Sequence, residues 1–375
     1  MKTLVAKKED ELEDFISEAK KYGSVSIPSE DGEYFLIAPR LLEDTTPSPF
    51  ENSAHLLEQP AARAAYSDRT AWLMAVLSSL AYVKFEGDDK EAKINMAGLI
   101  ATLAGGGFGD IDFFNCDKTG TEAFIAVREN GMAVLAFRGT EKNKKDIVTD
   151  LNARFFETAD GKAHRGFSLA FQSVETSIRA TLTKLKIKHP NLQLFITGHS
   201  LGAALATVAS HSLERDFLIS ACYTFGSPRV GNADWSESVK TPVYRVVNGA
   251  DGVPLVPGGI VLRTIAIWLP NLPFLTWLKG PVEKFTKSGF VGFQHAGDLR
   301  FLSNGAEDPV LIIGSAAAWS RLRYLVVGKF FAAIKSLNPK FLSATFSDHS
   351  ISAYIANLRV VAKDRNIPID LKESK

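Results

Sequence analysis

The stretch best suited to covalent chemistry is Gly198-His199-Ser200-Leu201-Gly202. A serine with glycines two residues away on each side can occupy a sharp turn that lifts its hydroxyl clear of the backbone. A nearby base can then turn it into a nucleophile. Taken alone, the pattern also fits an incidental turn. It gains specificity when a buried strand leads into it and a helix leads out, because the helix N-terminus then faces the charge that develops on an attacked carbonyl. Leu192–Thr197 reads as such a strand, and the alanine-rich Leu201–Leu213 as such a helix. The implied chemistry is acyl transfer through Ser200.

A serine nucleophile of this kind needs a base, and the base needs an acid to orient it. On a strand–turn–helix scaffold the acid and then the histidine follow the serine along the chain, each at the end of a later strand. Of the seven histidines only His211, His295 and His349 follow Ser200. His211 lies within the following helix, so it points away from the cleft. His349, at the start of the last helix, is the expected base, and His295 is the rival. The strand Val243–Val247 runs into Asn248-Gly249-Ala250-Asp251-Gly252, which makes Asp251 the expected acid, with Asp234 as competitor. An Asp before Gly is also a common turn former. The backbone N–H of Leu201 is one expected oxyanion donor. The second is Thr140, in Arg138-Gly139-Thr140 after the strand Met132–Phe137, a segment that could also be only a turn.

The elements that must hold these groups alternate in type. Ser67-Asp68 caps a helix running to about Phe85, and Gly105-Gly106-Gly107 closes a second one. Ala123–Arg128 and Met132–Phe137 flank Asn130-Gly131, a hairpin signal. Phe167–Lys188 is amphipathic, while Ile219–Phe225, Val243–Val247 and Asp298–Ser303 read as strands. This alternation predicts an α/β fold, a mostly parallel central sheet with helices on both faces and ligands at the carboxyl ends of the strands. Residues 1–66 read as an N-terminal extension or small cap, with a charged helix over 3–22, short strands at Val25–Ile27 and Tyr34–Ala38, and a proline-containing linker. Residues 67–375 read as the main domain.

Composition narrows the partners. Of the 375 residues 46% are hydrophobic and 23% charged, which is ordinary globular usage. A net charge of +1 leaves no basic surplus for nucleic acid. Two cysteines, Cys116 and Cys222, cannot build a disulfide framework or a four-cysteine zinc site, and both read as unpaired thiols. No metal-ligand cluster or cofactor motif is present in the pattern, so no cofactor is expected. Charges interrupt the N-terminus where a signal peptide needs an apolar core, and no run reaches the length of a membrane span. A cytoplasmic location is therefore the expectation, with signal-independent export left open.

These segments together resemble the class 3 (fungal-type) lipases, a family of α/β-hydrolases. The resemblance rests on Val134–Thr140 (VLAFRGT), Ala163–Phe167 (AHRGF), Ile196–Leu205 (ITGHSLGAAL), Tyr223–Asn232 (YTFGSPRVGN), Tyr244–Pro257 (YRVVNGADGVPLVP) and Asp348–Tyr354 (DHSISAY), in the family's order across roughly 67–356. It implies Ser200 as nucleophile, Asp251 as acid, His349 as base and Thr140 with Leu201 as oxyanion donors. It also implies that His164 lines the site, and that the substrates are carboxylic esters, mostly acylglycerols. Phospholipase A1 and feruloyl-type esterase activities are the alternatives, and a non-catalytic scaffold is a remote third. Two features depart from the family. Residues 141–151, where the family has an amphipathic lid helix, are short and mostly polar. Asp251 and His349 also stand 98 residues apart, further than in the family.

Two apolar insertions occupy that interval, about 258–287 and 307–344. They read either as an alternative lid and acyl-binding wall or as helices completing the core or an oligomer interface. On the first reading Trp268, Phe274, Trp277, Phe330 and Phe331 join His164 and His199 as substrate contacts. The partner is then a lipid or ester substrate, with transient contact to a membrane or lipid-droplet surface. Arg321, Arg323, Lys329 and Lys335 read as a solvated face, with contact to lipid headgroups as the alternative.

Overall fold

The computed structural model describes residues 25–28, 34–37, 48–58, 64–85, 87, 90–140, 154–257, 292–303, 309–323 and 348–364. The expected helix over 3–22, the polar segment 141–151, the first insertion and most of the second lie outside them. With these go Trp268, Phe274, Trp277, Phe330, Phe331, Lys329 and Lys335. Two compact units divide the chain, Met1–Glu51 and Asn52–Lys375. In the first, β1 (Val25–Pro28) and β2 (Tyr34–Ile37) pair antiparallel, with Val25 opposite Ile37.

The second unit starts at Asn52, ahead of the expected Ser67. Its first element, α1 (Ala54–Leu57), buries Leu56. Arg128 donates to the Leu57 carbonyl at 2.6 Å and Arg359 to the Ser53 hydroxyl at 2.9 Å. These bonds tie the supposed linker to the main unit. There follow α2 (Asp68–Leu80), α3 (Lys90–Gly105), β3 (Phe108–Cys116), β4 (Thr121–Arg128), β5 (Met132–Phe137), β6 (Phe155–Thr158) and β7 (Gly161–His164). The central part holds α4 (Arg165–Lys188), β8 (Gln193–His199), α5 (Leu201–Leu213), β9 (Ile219–Phe225), α6 (Ala233–Ser238) and β10 (Val243–Asn248). The last are β11 (Asp298–Ser303), β12 (Val310–Ile313), α7 (Ser315–Arg323) and α8 (Ile351–Asp364).

Among the described residues, eight strands form the central sheet in the order β12-β11-β10-β9-β8-β5-β4-β3. The five from β11 to β5 run parallel, and antiparallel neighbours finish both edges. β5, β8 and β9 are buried along both faces, as strands covered by helices on two sides must be. The fold is thus the expected α/β-hydrolase arrangement, and all the strands that carry site residues end on one side of the sheet.

Each face is sealed by a pair of helices. On one, α2 packs against α8 and β8. The Ser78 hydroxyl meets the Thr197 hydroxyl at 2.9 Å, and Thr197 in turn donates to the Tyr223 carbonyl at 2.9 Å, which pins α2 to the strand that ends at Ser200. On the other face α4 lies against α5. Its buried Phe167, Phe171, Val174, Ile178, Leu182 and Leu185 recur three or four residues apart, the spacing of one helix stripe. At ~1.5–3 kcal/mol for each fully buried large apolar side chain, this stripe is a strong apolar anchor for α4.

The observed elements differ from expectation at a few ends. α2 stops at Leu80 instead of near Phe85, because Ala81, Tyr82 and Val83 fold back in turns onto the Leu77, Ser79 and Leu80 carbonyls. Cys116 ends β3, and Cys222 is buried within β9. The β6–β7 hairpin and β12 were not anticipated. No helix among the described residues is long and apolar enough to cross a membrane.

Candidate active site

Ser200 sits at the join of β8 and α5 with φ +59° and ψ −126°. A non-glycine residue rarely adopts such a conformation, and holding it there costs about 1–3 kcal/mol. Two glycines make it affordable. A Cβ at Gly198 would stand 2.3 Å from the Gly202 carbonyl oxygen, and one at Gly202 would stand 2.4 Å from that of Phe137. The turn therefore closes only with hydrogen at both positions. The Ser200 N–H donates to the Phe225 carbonyl at 2.9 Å, fixing the elbow to the next strand.

The three residues singled out by chain order come together. The Ser200 hydroxyl lies 2.9 Å from His349 Nε2. His349 Nδ1 lies 2.9 Å from Asp251 Oδ2 and 3.0 Å from Oδ1. All three side chains are buried. Asp251 follows the end of β10, and His349 comes just before α8. The Asp251 carboxylate also accepts from the Tyr354 hydroxyl at 2.6 Å and the Val253 N–H at 2.9 Å. Burial pushes this carboxyl up, but His349, Tyr354 and Val253 outweigh it and hold it below the usual carboxylate range. Burial and the adjacent carboxylate push the Tyr354 phenol well above its ordinary value, so Tyr354 stays a donor.

Further hydrogen bonds orient these groups. Asn248 gives its N–H to the Tyr354 oxygen at 3.1 Å and its side-chain amide to the Asp348 carbonyl at 3.0 Å. The Asp348 carboxylate accepts from the Ala250 N–H at 2.7 Å. The loop before His349 and the loop before Asp251 are thus bonded directly to each other. His199 Nε2 lies 2.7 Å from the His349 carbonyl, which can only accept, so Nε2 carries the proton. In the neutral ring Nδ1 then accepts from the Tyr82 hydroxyl at 2.8 Å. Gly226 faces the same centre with φ +60°. A Cβ there would lie 2.5 Å from Asp251 Oδ2 and 2.9 Å from His349 Nδ1.

Leu201 is the first residue of α5, where amide N–H groups have no partner within the helix. The loop after β5 runs close to the same turn: a Cβ at Gly202 would meet Phe137 and Arg138, and one at Gly139 would meet the His199 carbonyl. Thr140 is the next residue. The Arg138 side chain pairs with Glu122.

The other sequence candidates lie elsewhere. His295 Nε2 binds the Pro254 carbonyl at 2.9 Å, and burial together with Arg245 and Arg229 drives its pKa well down, leaving a neutral ring. His211 sits by Ser238 and Asp160, and Asp234 accepts from Asn232. His164 caps α4, accepting from the Phe167 N–H, and stacks on Phe167 at 4.2 Å. Burial lowers its pKa to about 4, and its Nε2 has no partner. Arg321 does not lie on a solvated face or against headgroups. It is buried and donates to the Asp251 carbonyl at 3.0 Å, because α7 packs against β11 and turns this side chain inward. Sequence reading assigned no role to Tyr82, Gly226, Asn248, Asp348 or Tyr354. Asp348 and Tyr354 stand in the same DHSISAY segment as His349, which was their available signal. Among the described residues no group of three or more His, Cys, Asp or Glu is gathered to hold a metal ion.

Residues 134–260 match the family model described as lipase (class 3). A secreted mono- and diacylglycerol lipase of Fusarium solani is 36% identical over 148 residues, 37% of this chain and 44% of that protein. Secreted mono- and diacylglycerol lipase A of Penicillium cyclopium is 33% identical over 155 residues, 39% of this chain and 50% of that protein. The chain spans about half the length of these curated relatives. Among solved structures, the triacylglyceride lipase of Rhizomucor miehei superposes with a TM-score of 0.49 at 20% identity, covering 70% of this chain and 91% of that one. The names correct one expectation. Relatives from Fusarium solani, Penicillium cyclopium and Malassezia restricta are described as secreted, which overturns the cytoplasmic default drawn from the N-terminal charges. Over residues 134–260, this chain is similar to the class 3 lipases.

Proposed function

We propose that this protein is a serine-dependent carboxylic ester hydrolase acting on acylglycerols or other fatty-acyl esters. The observation that carries the reading is the unbroken line of hydrogen bonds from the Ser200 hydroxyl through His349 to Asp251, built on a strained elbow. The names of the curated relatives, mono- and diacylglycerol lipases, support an acylglycerol substrate.

In the proposed cycle His349 Nε2 takes the Ser200 proton as the oxygen attacks the ester carbonyl. Negative charge moves to the carbonyl oxygen, where the Leu201 and Thr140 N–H groups receive it. One such donor is worth about 3 kcal/mol in the transition state. Asp251 holds His349 in the tautomer with the Nδ1 proton and stabilises the imidazolium. The tetrahedral intermediate collapses, His349 protonates the leaving alcohol, and an acyl-Ser200 ester remains. Water, deprotonated by His349, attacks that ester; the intermediate collapses, His349 returns the proton to the departing Ser200 oxygen, and the fatty acid is released.

Turnover of p-nitrophenyl esters of increasing acyl length, followed for the wild type and Ser200→Ala, tests this. The expected result is a preference for longer chains and a loss of at least about 10³-fold in kcat for the variant. Turnover untouched by Ser200→Ala sinks the mechanism. Strict preference for short soluble esters contradicts the lipid assignment. Higher activity on phospholipid vesicles than on acylglycerol emulsions favours the phospholipase alternative.

A further inference from the structure

The loop that carries Asp251 is held from behind by three cationic or imidazole side chains drawn from distant segments. Arg229, after β9, donates to the Leu255 carbonyl and, at 2.6 Å, to that of Pro257. His295, before β11, binds the Pro254 carbonyl. Arg321, on α7, holds the Asp251 carbonyl. Arg245, on β10, joins the group and donates from Nε to the Gly297 carbonyl at 3.3 Å.

Every one of these partners is a neutral carbonyl. Among the described residues none of the three arginines has a carboxylate within ion-pair distance. The carboxylates nearby are committed elsewhere. Asp251 is used by His349, Tyr354 and Val253, and the exposed Asp298 lies nearest Arg300, at 3.7 Å. His295 is neutral, so it adds no charge of either sign. The arginines are close enough to repel one another. Burial with Arg321 and Arg229 pushes Arg245 down to about 9, and burial with Arg321 pushes Arg229 down to about 10. The Asp251 carboxylate attracts Arg321 and Asp298 attracts Arg245 through space, yet burial outweighs both attractions.

Two details make this group receptive. Arg321 is 9% exposed, and among the described residues its Nε–H has no partner. Arg229 and Arg245 are crowded by protein yet keep partial solvent exposure. Guanidinium groups present N–H donors in a planar fork that matches a carboxylate or a phosphate, and such charge-assisted bonds are among the strongest available.

We propose that Arg229, Arg245 and Arg321 form a binding site for a small oxyanion, a carboxylate or a phosphate, behind the loop that carries Asp251. The site is separate from the Leu201 and Thr140 donors, because Arg321 holds the backbone carbonyl of Asp251 while the carboxylate faces His349. An anion there relieves the mutual repulsion and stiffens the loop through carbonyls already bonded to the same side chains. Binding does not depend on the ester-hydrolase reading, whereas its effect on turnover does.

Thermal midpoints of the full chain decide the matter, measured with about 20 mM phosphate, butyrate or chloride at matched ionic strength. Ser200→Ala serves as a second background, so that binding can be scored where turnover is lost. Phosphate or butyrate is expected to raise the midpoint by about 2 °C or more above chloride in both proteins. Arg245→Gln is expected to remove that extra rise. Arg245→Lys, which keeps the charge without the fork, is expected to lose at least half of it and covers the case in which the first variant fails to fold. An equal rise with chloride, no rise with either oxyanion, or a full rise retained in the Arg245 variants overturns the proposal. Given the rise, co-sedimentation with phosphatidic acid vesicles that inorganic phosphate competes away assigns the oxyanion to a lipid headgroup. The absence of sedimentation assigns it to a free anion.

Discussion

At the residue scale, the phenol oxygen of Tyr354 joins two loops. It donates to Asp251 at 2.6 Å and accepts from the Asn248 N–H at 3.1 Å. Tyr354→Phe removes both bonds and leaves the Asn248 N–H buried without a partner, at a cost of about 1–3 kcal/mol. Denaturant unfolding should show that loss, together with a fall in kcat larger than any change in KM, because the carboxylate loses a support it uses when His349 is charged. The choice of base is tested by a pair of variants. His349→Ala should lower kcat/KM by at least about 10⁴-fold, while His295→Ala, which removes a ring bonded to a carbonyl, should stay within about tenfold of the wild type. The reverse ranking would transfer the role to His295. Ser200, Asp251 and His349 could be read from type and order, because the chemistry fixes the types and the fold fixes the order. Tyr354 and Arg321 could not, since neither pattern nor period says which tyrosine or arginine turns inward at a loop.

At the scale of elements, His164 carries a pH signal. It caps α4 from a buried position, where desolvation lowers its pKa from the ordinary 6.5 to about 4. Above pH 6.5 the ring is neutral in both folded and unfolded chains, and it adds no pH dependence. Between 6.5 and 4 the unfolded chain binds a proton that the folded chain refuses, so stability falls as the pH drops. The full loss is roughly 3 kcal/mol and levels off below pH 4. His164→Asn can still cap the helix but cannot titrate, so its unfolding free energy should fall less between pH 7 and 4.5 than that of the wild type. An identical slope would rule His164 out as the source. Legibility among the elements follows burial. Ile219–Phe225 and Asp298–Ser303 match β9 and β11 to the residue; β9 is buried along its whole length, while β11 buries only Phe301 and Leu302. β3 escaped notice since its burial does not alternate and its pairing with β4 shifts register between Gly109 and Asp112. β6 and β7 are four-residue strands with too little pattern to register.

At the scale of the molecule, the interval between acid and base does more than one thing. β11 and β12 extend the sheet, and α7 brings Arg321 to the Asp251 carbonyl, so the described part of the second insertion completes the core around the site. Its outer side is apolar and open, with Val310 and Ile313 each 56% exposed and Trp319 73% exposed. The sheet closes the distance in sequence. Asp251 and His349 meet because β10 ends where α8 begins, and the hydrogen bonds among Asn248, Ala250 and Asp348 lock the two loops together. The central claim is that this assembly makes one serine nucleophilic. Its most direct measurement is mass spectrometry after reaction with a p-nitrophenyl alkyl phosphonate, which traps a nucleophile stoichiometrically. The account predicts a single adduct, on Ser200, formed together with loss of ester turnover and absent from His349→Ala. Full inactivation with the adduct on another residue, or undiminished turnover with Ser200 labelled, would contradict it.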